Sequence, residues 1–456
     1  MQTQSGRLQS ENVLKSGRRG FLKQSGLGTV GALLATSAMS VPHVHAAENN
    51  TLNVALVGCG GRGTGALFDA IQTEGPKKVV ALVDVFPNKI ASTLRSAVER
   101  FPDNIDVPQE RQFSGFDGYK KAIDAVGAGG VILLASPPAF RPAQLEYAVE
   151  KGVHVFMEKS FAVDPPGVRR ILKAGEAAKA KNLKIVGGLM TRHKRSMQGA
   201  IEQIRAGIIG DVTTCWAYRM HGPIGFSPRR ENESILANQI RNYSCFTWLN
   251  GSPLLDWLIH NIDVCCWAKD AYPVSAQGQA ARRVRKDQDQ IFDQYIVEYA
   301  FPDGTRFQAQ GQFVQGAWNC FQSTIHGTTG CAIFGEGIRD PKLYRGYNPT
   351  ANNMIWEYTG PEVRGEYQAE QDILFDAIRN DKPHNEAERC ALSTMVGVLG
   401  RLVCDSGQRI TWDEAFNSNK SLANLDTLTS LDSPAPVQPD DNGDYPFPIP
   451  GQTEVL

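Results

Sequence analysis

From residue 52 onward the chain alternates short, wholly apolar runs with longer segments of helical period. Leu52-Asn53-Val54-Ala55-Leu56-Val57 is the first run and stops at Gly58, after which residues 64–73 take helical spacing. The second run, residues 79–83, closes on Asp84, and the third, residues 131–135, closes on Ser136-Pro137-Pro138. Residues 144–151 and 168–181 read as helices, and residues 153–157 and 183–186 as strands. Strands that are apolar on both faces and separated by helices predict a parallel sheet covered on both sides.

After Gly188 the pattern changes. A helix over residues 198–206 precedes a strand over 212–220, and then comes a polar, irregular stretch from 222 to 242. Residues 254–269 predict one continuous helix. From 274 to 334 strand-like segments follow one another directly, among them 294–301 and 306–313, which predicts a mainly antiparallel sheet. Two helices, 366–380 and 387–406, pack back on the body. Beyond residue 421 the chain turns Pro- and Asp-rich, as in an extended arm or a disordered tail. The expected class is α/β. A Rossmann-type doubly wound parallel sheet occupies residues 47–188, an α+β domain with a largely antiparallel open sheet 189–416, and a Pro-rich arm 417–456.

Residues 1–46 stand apart from this pattern. Arg18-Arg19 lies in a basic segment, and the uncharged stretch 26–40 that follows is shorter than the ~20 residues a membrane-spanning helix needs. Val44-His45-Ala46 offers small residues for cleavage. Together these read as a twin-arginine export signal, a route associated with folded cargo, so a periplasmic or otherwise exported location is expected, with no stable membrane insertion. Removing it takes away five basic residues and one acid, so the net charge of −1 becomes about −5. That balance gives no footing for nucleic acid. The nine cysteines, with no C-x-x-C spacing and several in apolar runs, read as buried thiols rather than a disulfide scaffold.

The chemistry begins at Gly58-Cys59-Gly60-Gly61-Arg62-Gly63. A glycine loop alone is weak evidence, but here a strand precedes it and a helix follows, the context of a dinucleotide site. Gly58 permits the tight turn, Gly60 lets the backbone approach a pyrophosphate, and Gly63 allows close helix packing, with Gly61 and Arg62 also on the cofactor side. Asp84 lies 21 residues past Gly63, where an acid accepts hydrogen bonds from ribose hydroxyls. Its charge favours NAD over NADP, with Arg62 as a possible offset. Ser136 and Pro137, at the third strand end, join this cofactor side.

Glu158-Lys159 ends the strand over 153–157, on the carboxyl side of the sheet where ligands sit. Taken alone, the dipeptide more often describes a solvated turn; in place, the lysine can stabilise a substrate oxygen. Asp256 and His260, four apart on the expected helix, can face one cleft, with His260 as proton acceptor and Asp256 orienting it. The same pair, alone, is more often structural, and with Asp263 it would suit a metal; no metal is expected. Arg192 and His193 either line the cleft or support the domain junction, and Arg229, Arg230 and Arg241 either bind an anionic substrate group or stand in solvent.

The combination of Gly58 to Gly63, Asp84, Ser136-Pro137-Pro138, Glu158-Lys159 and Asp256-x-x-x-His260 resembles the Gfo/Idh/MocA oxidoreductases, across the mature chain to about Phe416. By that resemblance, Lys159 matches the lysine of the family's Glu-Lys-Pro motif, and Asp256 and His260 match its catalytic Asp and His. Ser160 departs from the family's proline, which leaves the placement of Lys159 open. The resemblance implies hydride transfer between NAD and a ring hydroxyl of a sugar, cyclitol or derivative, as in an inositol 2-dehydrogenase, and a homo-oligomer. Two other readings stay open: redox-neutral glycoside cleavage through a 3-keto intermediate, and a carbohydrate-binding protein with structural NAD.

Overall fold

Leu52–Val57 forms β1, and every side chain of it but Asn53 is buried, as a strand covered on both faces requires. A computed structural model describes residues 50–335 and 340–456; the expected signal and its cleavage site lie outside the described residues. β1 pairs in parallel with β2 (Lys77–Asp84) on one side and, once the chain has passed β3 (Gln112–Ser114), with β4 (Val131–Leu134) on the other. β5 (His154–Met157) and β6 (Ile185–Gly187) complete a six-stranded sheet in the order β3-β2-β1-β4-β5-β6. The order reverses between β1 and β4, which opens a crevice at their carboxyl ends. The glycine loop after β1 and the Ser136-Pro137 turn after β4 both lie there.

The second sheet starts with β7 (Val212–His221), which becomes its centre. β8 (Ser275–Ala281), β9 (Gln294–Ala300), β10 (Arg306–Phe313), β11 (Cys320–Gly327), β12 (Gly330–Phe334), β13 (Lys342–Arg345), β14 (Met354–Glu357) and β15 (Ile410–Thr411) complete nine strands. Their order is β14-β13-β12-β11-β7-β10-β9-β8-β15, antiparallel throughout except for the β7–β10 pair. The helix Ile259–Lys269 covers the inner face of β7 and β11, and its residues are almost all buried.

Distant parts of the chain return to the first sheet. Helix Glu366–Arg379 packs on helix Gly61–Ile71, and helix Ala387–Ser406 packs on Pro165–Ala180. Asn385 bridges to Ile185 beyond the sheet edge, and the buried Glu386 carboxylate accepts from the Gly187 N–H at 2.9 Å. No helix among the described residues is long and apolar enough to cross a membrane. All nine cysteines are free and buried.

Three local expectations are corrected. The first helix begins at Gly61 rather than residue 64, because Gly60 serves as its cap. Within the stretch 222–242, Ile235–Arg241 is helical, capped by the Ser234 hydroxyl on the Ala237 N–H. The segment 254–269 is two helices, Pro253–Asp256 and Ile259–Lys269. The Leu258 N–H reaches back five residues to the Pro253 carbonyl at 3.1 Å, which widens the turn and breaks the 3.6 period.

Of the two forms expected for the tail, the chain takes the extended arm. Ala435, Tyr445 and Val455 are buried, and the Tyr445 ring meets Phe246 edge-on with centroids 4.9 Å apart. The Gln239 amide donates to the Val437 carbonyl at 2.7 Å while its oxygen accepts from the Trp248 indole at 2.8 Å. The Gly451 N–H donates to Ser406 at 2.7 Å, closing the arm onto the end of helix Ala387–Ser406.

Candidate functional site

The glycine loop is shaped by contacts only glycine allows. Gly58 has φ +100°, and a Cβ there would lie 2.6 Å from the Ala135 carbonyl carbon; a Cβ at Gly63 would lie 1.9 Å from the Gly58 oxygen. At Gly60 and Gly61 the situation is the opposite. A Cβ would meet nothing within 4 Å, so the backbone there faces open space at the N-terminus of helix Gly61–Ile71. Free N–H groups and the helix dipole at that point suit a pyrophosphate. Asp84, at the end of β2, accepts from the Cys59 and Phe86 N–H groups at 2.9 Å each, and burial pushes its carboxyl above the usual range. These residues fit a dinucleotide.

The loop opens into a cleft of about 460 Å³. Its walls include Asp84, Ser136, Pro137, Glu158 and Lys159 from the first sheet and Arg219, Asp256, Trp257 and His260 from the second part of the chain. All the residues singled out from sequence for cofactor and catalysis therefore gather on one cavity. Ser136 is turned toward its own wall, its hydroxyl donating to the Gln144 side chain at 2.7 Å.

Arg62 crosses from the loop to the strand ends. Its Nε donates to Glu158 Oε1 at 2.6 Å, its guanidinium carbon lies 4.3 Å from the Tyr367 ring centroid, and Asp69 and Glu370 stand at 3.7 and 3.8 Å. Glu370 is fully buried, and burial, then the neighbouring Glu158 charge, push its carboxyl well above the usual range.

The backbone around Lys159 is held from two sides. The buried Arg141 guanidinium donates to the Glu158 carbonyl at 2.7 Å and to the Ser160 carbonyl, and burial draws its pKa down to about 10. The Ser160 hydroxyl donates to the Leu255 carbonyl. The missing proline is thus replaced by hydrogen bonds, and the Lys159–Ser160 peptide is cis. Lys159 Nζ donates to the Asp256 carbonyl oxygen and, at 3.1 Å, to Asp256 Oδ1.

Asp256 has a different partner from the one expected. The widened turn separates it from His260, and its carboxylate is bonded to Lys159 instead. His260 is buried, with its Nδ1 lacking a hydrogen-bond partner among the described residues. Burial above all, then the charges of Lys159 and Arg219, lower its pKa to about 3, so the imidazole is neutral at physiological pH and able to accept a proton. Asp263 points elsewhere: Arg192 grips both its oxygens at 2.7 and 2.8 Å, and Ser393 donates to it at 2.7 Å. Arg192 therefore supports the junction, as does the buried His193 beside Glu386. Arg241 closes a fork on Glu233 at 2.7 and 2.6 Å and is spent within its own loop; Arg229 and Arg230 are exposed. Among the described residues no group of three or more His, Cys, Asp or Glu is placed to hold a metal.

Sequence reasoning missed Arg141, Arg219, Tyr243, Trp257, Phe321 and Tyr367, all on the cleft wall. One signal was available. Cys215 and Ala217 mark the inward face of β7, and Arg219 continues that parity where an apolar residue would be expected.

No family model matches the chain. Inositol 2-dehydrogenase from Ralstonia nicotianae is 24% identical over 260 residues, 57% of this chain and 67% of that protein. The enzyme of the same name from Cereibacter sphaeroides (strain ATCC 17029) is 25% identical over 260 residues, 57% of this chain and 66% of its own length. Among solved structures, scyllo-inositol dehydrogenase from Lactobacillus casei with bound NAD(H) and scyllo-inositol is similar at TM-score 0.59 and 19% identity, covering 80% of this chain and 99% of that one. Aldose-aldose oxidoreductase from Caulobacter crescentus complexed with glycerol reaches TM-score 0.59 at 17% identity, covering 79% and 99%.

The depressed His260 pKa sets an acid-stability expectation. The unfolded chain takes up a proton on this histidine below about pH 6.5, whereas the folded chain does not until about pH 3, so the stability His260 contributes above pH 6.5 is lost as pH falls. His260→Gln lacks that term. Urea unfolding at pH 7 and pH 5 is expected to show the variant losing less stability than the parent, by on the order of 1–2 kcal/mol; equal losses would place the histidine in a solvated setting.

Proposed function

We propose that this chain, which belongs to the Gfo/Idh/MocA-type oxidoreductases acting on CH–OH groups, is an NAD-dependent dehydrogenase of a ring hydroxyl on a sugar or cyclitol. The observation that carries the reading is one cleft with the glycine loop and Asp84 at one end and Lys159, Asp256 and His260 at the other. Gly58, Gly60, Gly61 and Gly63 would cradle the pyrophosphate and Asp84 the adenosine ribose. Bound there, the nicotinamide supplies a hydride acceptor.

The chain's own residues handle the proton and the charge. Neutral His260 accepts the substrate hydroxyl proton as the C–O bond gains carbonyl character, and returns it in the reverse direction. The Lys159 ammonium donates a hydrogen bond to the same oxygen and stabilises its developing negative charge. Asp256 holds that ammonium in place at 3.1 Å, and Arg141 fixes the backbone that carries it. Inositol 2-dehydrogenase-like activity is the specific form the relatives' names suggest.

Export belongs to the proposal. Arg18-Arg19 ahead of a dinucleotide loop implies an enzyme that leaves the cytoplasm folded around NAD and regenerates it in place. The same demand favours a second reading, redox-neutral cleavage of a glycoside, in which the oxidation eases loss of the aglycone and a final reduction restores NAD.

Three outcomes test these readings. His260→Ala is expected to lower turnover with sugars or cyclitols on the order of 100-fold while NAD binding, followed by calorimetry, changes little; near-normal turnover would leave the histidine structural, and aglycone release without net absorbance change would select the second reading. Asp84→Ala is expected to weaken NAD and narrow its advantage over NADP, since an acceptor and a repulsive charge go together; tight NADP binding by the unaltered protein contradicts the assignment. Protein recovered from outside the cytoplasm is expected to keep near-stoichiometric nucleotide through dialysis, and empty protein that needs added NAD would refute the captive cofactor.

A further inference from the structure

Arg219 is a cation at the substrate end of the cleft with no carboxylate paired to it among the described residues. It sits on β7, the central strand of the nine-stranded sheet, opposite Phe321 on β11 and Gly311 on β10. Cys215 and Ala217 before it on the same face are fully buried against helix Ile259–Lys269. Arg219 is the next inward position and emerges into the cleft, where it lines the wall with Trp257 and His260. Its guanidinium carbon lies 4.2 Å from the Phe321 ring centroid and 5.0 Å from that of Trp257.

Two aromatic rings hold a guanidinium well but accept none of its N–H groups in the plane where strong bonds form. Its Nε is buried and without a hydrogen-bond partner. Among the described residues no carboxylate comes within 4 Å of it, and two acids that line the same cleft are taken: Asp256 by Lys159 and Glu158 by Arg62. An arginine held rigidly by rings, with its donors unspent and facing a cavity, matches a planar or tetrahedral oxyanion.

Resting on the dehydrogenase reading above, we propose that Arg219 determines specificity for a substrate that carries an oxyanion, a sugar acid or sugar phosphate, with the anionic group seated on the guanidinium and the reacting hydroxyl at Lys159 and His260. The ring faces of Trp257 and Phe321 place the arginine, so that the anion and the reacting carbon are presented together.

The full-length NAD-loaded enzyme is assayed with D-glucuronate, D-glucose 6-phosphate, D-glucose and myo-inositol, and binding of the same four probes to the NADH-loaded enzyme is followed by calorimetry. At least one anionic probe is expected to exceed its neutral counterpart in kcat/KM by on the order of 10- to 100-fold, mostly through KM, with the advantage falling as salt rises. The glucuronate and phosphate arms tell a carboxylate from a phosphate site. In R219Q the anionic-to-neutral ratio is expected to collapse toward one, and R219K to keep part of it. Neutral probes preferred, an unchanged ratio in R219Q, or an R219Q defect confined to NAD affinity would each overturn the proposal. If R219Q does not fold, the salt dependence of the parent's ratio decides alone. Oxidation of all four probes without preference rejects the anion site and leaves the dehydrogenase reading standing; salt-sensitive binding of an anionic probe with no oxidation of any does the reverse; neither binding nor oxidation rejects both.

Discussion

The contact between Lys159 and Asp256 is where the two sheets of this protein become one site. Lys159 lies two residues past the end of β5 in the first sheet, and Asp256 ends the short helix that leads into the covering helix of the second. Around the ion pair, Ser160 bonds to Leu255, and Arg141 holds the carbonyls on both sides of Lys159. Two consecutive residues after β5, Lys159 and Ser160, are thereby docked on two consecutive residues of the other part, Leu255 and Asp256. Lys159 is thus positioned by the same bonds that set the junction, and a disturbance of either is felt by both.

Around this junction the charges are arranged pair by pair, with each cation given a distinct task. Arg62 is held by Glu158 and Tyr367 near the loop, Lys159 by Asp256, and Arg192 by Asp263, whose carboxylate also accepts from Ser393, behind the site. Buried pairs of this kind contribute little net stability, since desolvation offsets most of their attraction, but leaving one partner alone is costly. Their value here is geometric. Burial above all, and then the positive charges of Lys159 and Arg219, keep His260 neutral.

How much of this was legible in the chain follows from how local each cause is. Gly58 and Gly63 were legible because backbone sterics at a turn act over a few residues, and Asp84 because a strand end at fixed spacing places it. Strand β5 announced Glu158-Lys159 in the same way. The first sheet, with its runs of apolar residues, could be read almost strand by strand. The partner of Asp256 could not, because the bond of Leu258 to Pro253 that breaks the helix leaves no mark in hydrophobic period. Tyr367 reaches the cleft, and Glu370 the neighbourhood of Arg62, from a helix about three hundred residues after the loop, and only the folded chain brings them there. Arg141 precedes the helix read over 144–151 and carried no signal of its own; only the fold brings the carbonyls of Glu158 and Ser160 to it.

The arm at the end of the chain has a consequence in the order of synthesis. Gln239 and Trp248 lie in the segment that leads to Asp256, and the Gln239 amide is satisfied only by Val437, with Tyr445 capping Phe246 beside it. A ribosome delivers Val437 198 residues after Gln239. Until then the stretch leading to the site holds an unsatisfied amide and an uncovered ring, so the cleft takes its final form only once the arm has emerged. The arm thereby acts as a latch on the stretch that leads to Asp256, and its synthesis becomes a condition for a finished pocket.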